Sequence, residues 1–334
     1  MARFLAGKLK FFIVIKRILI LEAHKDQART IAEFLKKDKN YSIDYETADY
    51  RNDYNGYDIV IPTSANSTYK YVKQHGDIQL GQILYSHKNL ITFDKIKTLE
   101  IVKNIGIPIP ATYTRKEDLN FFPIFYKSLR EEGYARRGII KTPDELANFR
   151  YTDVFFQEFI WTKGTYSVAF LADRGKMLHH FSQKEILSYP YHGGSGVVLQ
   201  KFNDPRLKIH TKNIIKALNY SGWGLIEYKY CRRRRDYVFM EVNAKFWASL
   251  KFAFLNEPAF MKLLFNIDMK KRNIKNCIYL DRLILSDWPE IKIGLPYLFK
   301  AKWIKSQPII ETIKKRITGR HRIEQPNIKL LPII

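Results

Sequence analysis

Two carboxylates and an amide stand out in the segment "EYKYCRRRRDYVFMEVN", residues 227–243. Glu241 and Asn243 are two positions apart in an aromatic and β-branched run, so on a strand their side chains share a face. Glu227 ends a similar stretch, "GLIE", and continues into "YKY"; across a hairpin it reaches the same face. Two carboxylates at close quarters repel unless a cation sits between them. Hard oxygen ligands of this kind suit Mg2+ (or Mn2+), which commonly joins one or two carboxylates to the phosphates of a nucleotide. Between the arms come Arg232 to Arg235 and Asp236. They fall at the connection, where charge stays solvated, so the arginine run reads as a turn and not as a nucleic-acid patch.

Strands must hold that face and helices must close it. "RILILEAHKDQARTIAEFLKK" reads as a buried strand, a turn and an amphipathic helix with Ala28, Ile31, Ala32, Phe34 and Leu35 at helical spacing. "YSIDYETAD" and "YDIVIPTS" are further strands, and the alternation predicts a small α/β lobe up to about Leu90. Its first turn, "EAHKDQ", lacks the GxGxxG of a dinucleotide site. "DKIKTLEIVKNIG" predicts a helix over 94–106, capped by Asp94 and ended by Gly106, with "IPIP" barring its continuation. "FFPIFYKSL" is an apolar strand carrying Lys127, and "TPDELANF" starts a helix with Pro and acids in its first turn. "DVFFQEFI" and "TYSVAFLADRGKMLHHFSQKEI" read as strands with a turn at Asp173-Arg174-Gly175. In the loop "HGGSG", Gly193, Gly194 and Gly196 allow close backbone approach, and their amides can form an anion nest. "DPRLKIHTKNIIKALNY" is a helix.

Composition narrows the partners. The 334 residues, 46% hydrophobic and 14% aromatic, suffice for two or three lobes with a sizeable core. Lys and Arg number 57 against 33 Asp and Glu, a formal net charge of +24 that favours an anionic partner: nucleotide, nucleic acid, acidic lipid or an anionic substrate. Cys231 and Cys277 form no CxxC or Cys/His spacing, which excludes a disulfide framework, argues against zinc and fits a reducing compartment. The opening "MARFLAGKLKFFIVIKRILIL" has a basic start, but Lys16 and Arg17 interrupt its apolar run and no small-residue cleavage site follows. It reads as a strand or a surface-lying segment. No stretch reaches the roughly 18 apolar residues of a membrane span. No Ser/His/Asp or Cys/His set is evident, so no side-chain nucleophile is expected.

The pair "GLIEYKY" and "YVFMEVNAKFWASL" resembles the metal-binding end of the ATP-grasp superfamily. Upstream, "DKIKTLEIVKNIGIPIPATY" resembles the helix that opens the grasp region, "FPIFYKSL" the strand with its phosphate-binding lysine, and "DVFFQEFIWTKGTYSVAFLADRGK" the adenine hinge and following strands. "FSQKEILSYPYHGGSG" is similar to the substrate segment of the carboxylate–amine ligase branch related to carbamoyl phosphate synthase. The resemblance covers about residues 90–265, in the family's order. It implies ATP and Mg2+ (or Mn2+) as cofactors. Lys95 and Lys127 would neutralise ATP phosphates. Glu158 would bind ribose hydroxyls or the adenine edge, and the backbone of Phe159 and Ile160 would read the base. Glu227, Glu241 and Asn243 would hold the metal. Lys184 would approach the γ-phosphate and the developing acyl phosphate. Lys245, where the family often has arginine, would bind phosphate or substrate. His192, Gly193, Gly194 and Ser195 would contact substrate. The lid departs from the glycine-rich pattern: "SLREEGYARRGII" brings in Arg136 and Arg137.

The expected fold is α/β, with α+β grasp lobes: a pre-ATP-grasp Rossmann-like lobe over 1–90, an ATP-grasp domain over 91–268 with its lid at about 115–155, and a basic C-terminal extension over 269–334. The expected activity is an ATP-dependent ligase that activates a carboxylate as an acyl phosphate and joins it to an amine. Alternatives are a non-catalytic ATP-binding regulatory module, an ATP-grasp kinase, and a basic nucleic-acid or membrane-surface binder. The expected partners are a small-molecule carboxylate and an amine, with no nucleic acid. The expected location is the cytoplasm, or the inner membrane surface if the basic C-terminus makes peripheral contact. That C-terminus carries Trp288, Tyr297, Phe299 and Trp303, and is expected to pack on the body with a solvated basic face rather than lie on anionic lipid. Oligomeric state stays open.

Overall fold

The computed structural model describes residues 15–51, 53–129, 136–189, 194–299, 301–305 and 307–318. Its N-terminal lobe runs β1 (Lys16–Ile20), α1 (Asp26–Leu35), β2 (Tyr41–Tyr45), β3 (Ile59–Ile61) and α2 (Ala65–His75). The three strands form a parallel sheet in the order β2-β1-β3. Ile18, Leu19 and Ile20 are all buried, as in a parallel strand covered on both faces. The stripe foreseen on α1 is the buried one: Ala28, Ile31, Ala32, Phe34 and Leu35 face inward. A hairpin of β4 (Ile78–Leu80) and β5 (Ile83–Tyr85) joins this lobe to the rest. Gly81 turns it with φ of +54°, and a Cβ there would lie 2.5 Å from the Leu263 carbonyl oxygen. Only glycine permits that approach. Helix α3 (Lys95–Asn104) follows, its N-terminus capped by Asp94, which accepts from the Lys97 N–H at 3.0 Å.

A second lobe contains β6 (Thr112–Tyr113), β7 (Ile124–Ser128), β8 (Arg137–Ile140), α4 (Pro143–Ala147) and β9 (Val154–Glu158). Its antiparallel sheet, in the order β6-β9-β7-β8, packs Ile124, Ile140, Val154 and Phe156 in a small core of its own.

The main lobe is built on seven strands: β10 (Thr165–Asp173), β11 (Lys176–Tyr189), β12 (Ser195–Lys201), β13 (Gly222–Cys231), β14 (Asp236–Asn243), β15 (Asn276–Tyr279) and β16 (Lys302–Ile304). They run in the order β14-β13-β10-β11-β12-β15-β16. Helix α5 (Pro205–Ala217) covers one face, with the Thr211 hydroxyl 2.8 Å from that of Tyr228. On the other, α6 (Leu250–Asn256) sets Phe252 edge-on to Phe181, followed by α7 (Ala259–Phe265). Trp223 stacks on Phe246 with centroids 4.8 Å apart, in a core continuous with Tyr85, Phe170 and Tyr220. The chain ends in α8 (Leu280–Leu285), α9 (Trp288–Gly294) and α10 (Ile309–Ile317). The sheet continues past the boundary drawn near residue 268: β15 pairs antiparallel with β12, and β16 runs parallel to β15. Apolar alternation in "NCIY" is too short to announce a strand; an open edge on β12 completes it.

Candidate functional site

The hairpin read from sequence is present, and its register decides the site. Glu227 on β13 stands directly opposite Glu241 on β14, and Leu225 opposite Asn243. The Asn243 side-chain N–H donates to Glu227 Oε1 at 2.9 Å. From the facing lobe, Lys127 on β7 brings its Nζ 3.4 Å from Glu241 Oε2 and 3.2 Å from the Met240 carbonyl oxygen. From the first turn of α3, Lys95 Nζ comes within 3.9 Å of the same carboxylate oxygen. Lys127 is only 6% exposed. Five residues from four elements, spread over residues 95 to 243 of the chain, thus converge.

Burial raises both carboxyls, but their neighbours differ. At Glu241 the charges of Lys127, Lys95 and Lys245 outweigh burial and bring the carboxyl down to about 2. At Glu227 burial is reinforced by repulsion from Glu241 and Glu185, and the carboxyl is pushed up to about 8. Lys127 is lowered by burial and by Lys95, against the pull of Glu241. Two facing carboxylates too close to be charged together, with the Asn243 amide beside them, have the donor chemistry that a hard divalent cation relieves. Among the described residues, no three His, Cys, Asp or Glu side chains gather in metal-binding geometry. A cation here would take its remaining oxygens from phosphate or water, as Mg2+ does on a nucleotide.

These residues floor a cleft of about 400 Å3, a volume suited to a small-molecule ligand. Its lining holds six cationic side chains, Lys95, Lys127, Arg136, Arg137, Lys229 and Lys245, against four carboxylates, Glu158, Glu185, Glu227 and Glu241. The balance favours an anion. Phe159 and Ile160, which follow β9, add apolar lining together with Leu225 and Met240, and Ile160 packs in one cluster with Met240. Burial brings Lys229 down to about 8, with its Nζ 5.6 Å from the Phe159 ring centroid.

The arginine turn is not merely solvated. Arg233 donates to Glu158 Oε1 at 2.8 Å, and Arg234 donates to Glu158 Oε2 at 2.5 Å and to the Ile109 carbonyl at 3.3 Å. Glu158 also accepts from the Ala111 N–H at 3.3 Å. Its carboxylate therefore joins the arginine turn to residues 109–111 just before β6, where contact with ribose hydroxyls or the adenine edge was expected. Arg234, 28% exposed, is half-buried; Arg233 is 78% exposed. Replacing Arg234 by alanine should weaken ATP binding roughly two- to fivefold by loosening the hinge, whereas Arg233→Ala should leave it within about twofold. Titration calorimetry of the two variants checks this; equal effects would remove the distinction.

Lys184 differs most from expectation. Its Nζ sits 5.2 Å from the Tyr166 ring centroid, and it does not line the cleft. On β11 alternate residues face opposite sides, and the inward set is Gln183 and Glu185. Gln183 donates to Ser249 Oγ at 2.7 Å, and Glu185 lines the cleft two strands from Glu227, across β10. Burial raises the Glu185 carboxyl to about 7, with Arg282 pulling the other way. Glu185 was legible only as the neighbour of a lysine. Trp247 Nε1, buried in the same wall, has no hydrogen-bond partner among the described residues. Lys245, Gly194 and Ser195 line the cleft; His192 and Gly193 lie outside the described residues.

The chain has an ATP-grasp fold. It is similar, with a TM-score of 0.61 and 12% identity over 94% of this chain and 98% of the other, to an N5-carboxyaminoimidazole ribonucleotide synthetase in complex with ADP. It is similar to the D-alanine–D-alanine ligase of Bacillus anthracis complexed with ATP, with a TM-score of 0.51 and 18% identity over 75% and 96% of the two chains. A third likeness is to Rhizobium etli pyruvate carboxylase, with a TM-score of 0.52 and 14% identity over 76% of this chain. The chain spans 28% of that protein's length. No family model matches the chain, and no curated protein matches it by sequence.

Proposed function

We propose that the protein uses Mg·ATP to activate a carboxylate as an acyl phosphate and joins it to an amine, releasing ADP and phosphate. The observation that carries this reading is the convergence of Lys95 and Lys127 on Glu241, opposite Glu227, in a cleft also lined by Phe159 and Ile160. Phe159 and Ile160 would take the base by backbone contacts. The two lysines would turn from Glu241 to the phosphates and stabilise charge on the transferring phosphoryl group. Glu227, Glu241 and Asn243 would hold Mg2+, which when bound supplies the charge that offsets the β- and γ-phosphate oxygens.

The substrate carboxylate oxygen attacks the γ-phosphorus, the bond to the bridging oxygen breaks, and ADP leaves. The amine nitrogen then attacks the acyl carbon, the carbon–oxygen bond to phosphate breaks, and the nitrogen loses a proton. Glu185, a half-buried carboxylate facing the cleft, would take that proton, and the Trp247 N–H would donate to a substrate oxygen. In this reading Lys184 has no contact with the reacting atoms, and Lys245 supplies charge beside the metal carboxylates.

The amine need not be known to test the first step. Incubation with Mg·ATP, a panel of carboxylates and hydroxylamine should yield a hydroxamate and ADP in equal amounts. ADP release with phosphate transferred to an alcohol would make the protein a kinase. Nucleotide bound without turnover across the panel would favour a regulatory module.

A further inference from the structure

Helix α10 is amphipathic in the reverse sense. Its inward side is largely polar: beside a half-buried Ile309, Thr312 is fully buried, and half-buried Arg316 donates to the carbonyl oxygens of Leu285 and Ser286 at 2.8 and 2.7 Å, anchoring the helix on α8. Its outward side is apolar. Ile310, Ile313 and Ile317 are exposed, the first and last by 71% and 79%, and their spacing puts them on one stripe with exposed Lys314. The same segment exposes Phe299 by 97%, together with Trp288, Leu295 and Trp303. Between positions 295 and 318 the sequence has six Lys or Arg residues against the single Glu311. Lys302, Lys305 and Lys314 are exposed.

We propose that this surface seats the protein on an anionic lipid membrane, lying in the headgroup region. Water gives no reason to turn three isoleucines and a phenylalanine outward while burying a threonine and tucking an arginine against the body. An interface of acyl chains below and charged headgroups above does, because aliphatic tips enter the former and lysines reach the latter. Tryptophan is the side chain that settles between the two. Charge selects the occupant: a second copy would bring another +24 against this basic face, whereas acidic headgroups attract it. No helix among the described residues is long and apolar enough to cross a membrane, so the contact lies along the surface. This inference is independent of the chemistry assigned to the cleft.

Flotation of the full chain with phosphatidylcholine vesicles containing about one quarter phosphatidylglycerol tests it. The protein should float with these vesicles and not with pure phosphatidylcholine. The triple variant Ile310→Gln, Ile313→Gln, Ile317→Gln should lose roughly tenfold or more in partitioning. Because those side chains are exposed, its thermal midpoint and ATP affinity should be unchanged. The variant Lys302→Gln, Lys305→Gln, Lys314→Gln should lose the preference for anionic lipid. Absence of flotation by the intact protein, or undiminished flotation of the isoleucine variant, would overturn the proposal. Self-association that disappears in the isoleucine variant, without vesicle binding, would assign the face to a second copy instead.

Discussion

Glu241→Gln is expected to lower Mg-dependent acyl phosphate formation by roughly 10²–10³-fold and to flatten the dependence of ATP affinity on Mg2+. The substitution keeps size and a hydrogen-bonding oxygen but removes the charge on which Lys127 and Lys95 converge, at 3.4 and 3.9 Å. With Glu241 neutral, the two lysine charges repel one another in a site where Lys127 is almost wholly enclosed. The nucleotide-free protein should therefore lose about 1–3 kcal/mol as well. The two effects separate experimentally: hydroxamate trapping reads the first and urea unfolding without nucleotide reads the second. Asn243→Ala should act in the same direction on Mg2+ dependence with a smaller stability cost, since it removes one amide from Glu227. If both variants bind Mg·ATP with unchanged affinity and metal dependence, the carboxylate hairpin is not the metal site.

Arg282→Ala should destabilise the protein by about 3–5 kcal/mol, the range for opening a buried ion pair. Arg282 is 5% exposed. Its guanidinium donates to Asp26 at the start of α1 (2.8 Å), to the Gly196 carbonyl (2.5 Å) and to the Ala248 carbonyl (2.9 Å), and lies 4.0 Å above the Tyr279 ring centroid. One side chain from α8 thereby ties the N-terminal lobe to the glycine segment and to the cleft wall. Loss of Arg282 also removes the cation nearest in effect to Glu185, so its carboxyl should rise further. Arg282→Lys keeps the charge but not the fork, and should recover only part of the loss. A cost below about 1 kcal/mol for Arg282→Ala would show that the lobes do not depend on this contact.

Local structure was legible because it is locally caused. Asp94, Thr142 and Asp204 each cap the helix that their sequence context announced, accepting N–H groups of Lys97, Glu145 and Arg206. The turn at Arg174-Gly175 has positive φ at both residues, as its hairpin reading requires. The hairpin of Glu227 and Glu241 could be aligned because two β-rich arms flank a charged connection. The carboxylate pair followed from that alignment alone.

What the sequence by itself determined is therefore many of the elements, their order along the chain, and the residues able to meet on the carboxylate hairpin. Tertiary structure decided the rest. Period-two alternation says that Lys184 and Glu185 face opposite ways, but not which of them faces the cleft; pairing with β10 and the packing of Gln183 on Ser249 settles that in favour of Glu185. Arg234 could not be assigned to Glu158, 76 positions away, until β9 and the β13–β14 connection were brought side by side. Strands β15 and β16 needed the open edge of β12, and Arg282 needed Asp26, 256 positions distant. Propensity acts over a few residues, whereas sheet edges, buried ion pairs and the choice of inward face belong to contacts that exist only once the chain has closed on itself.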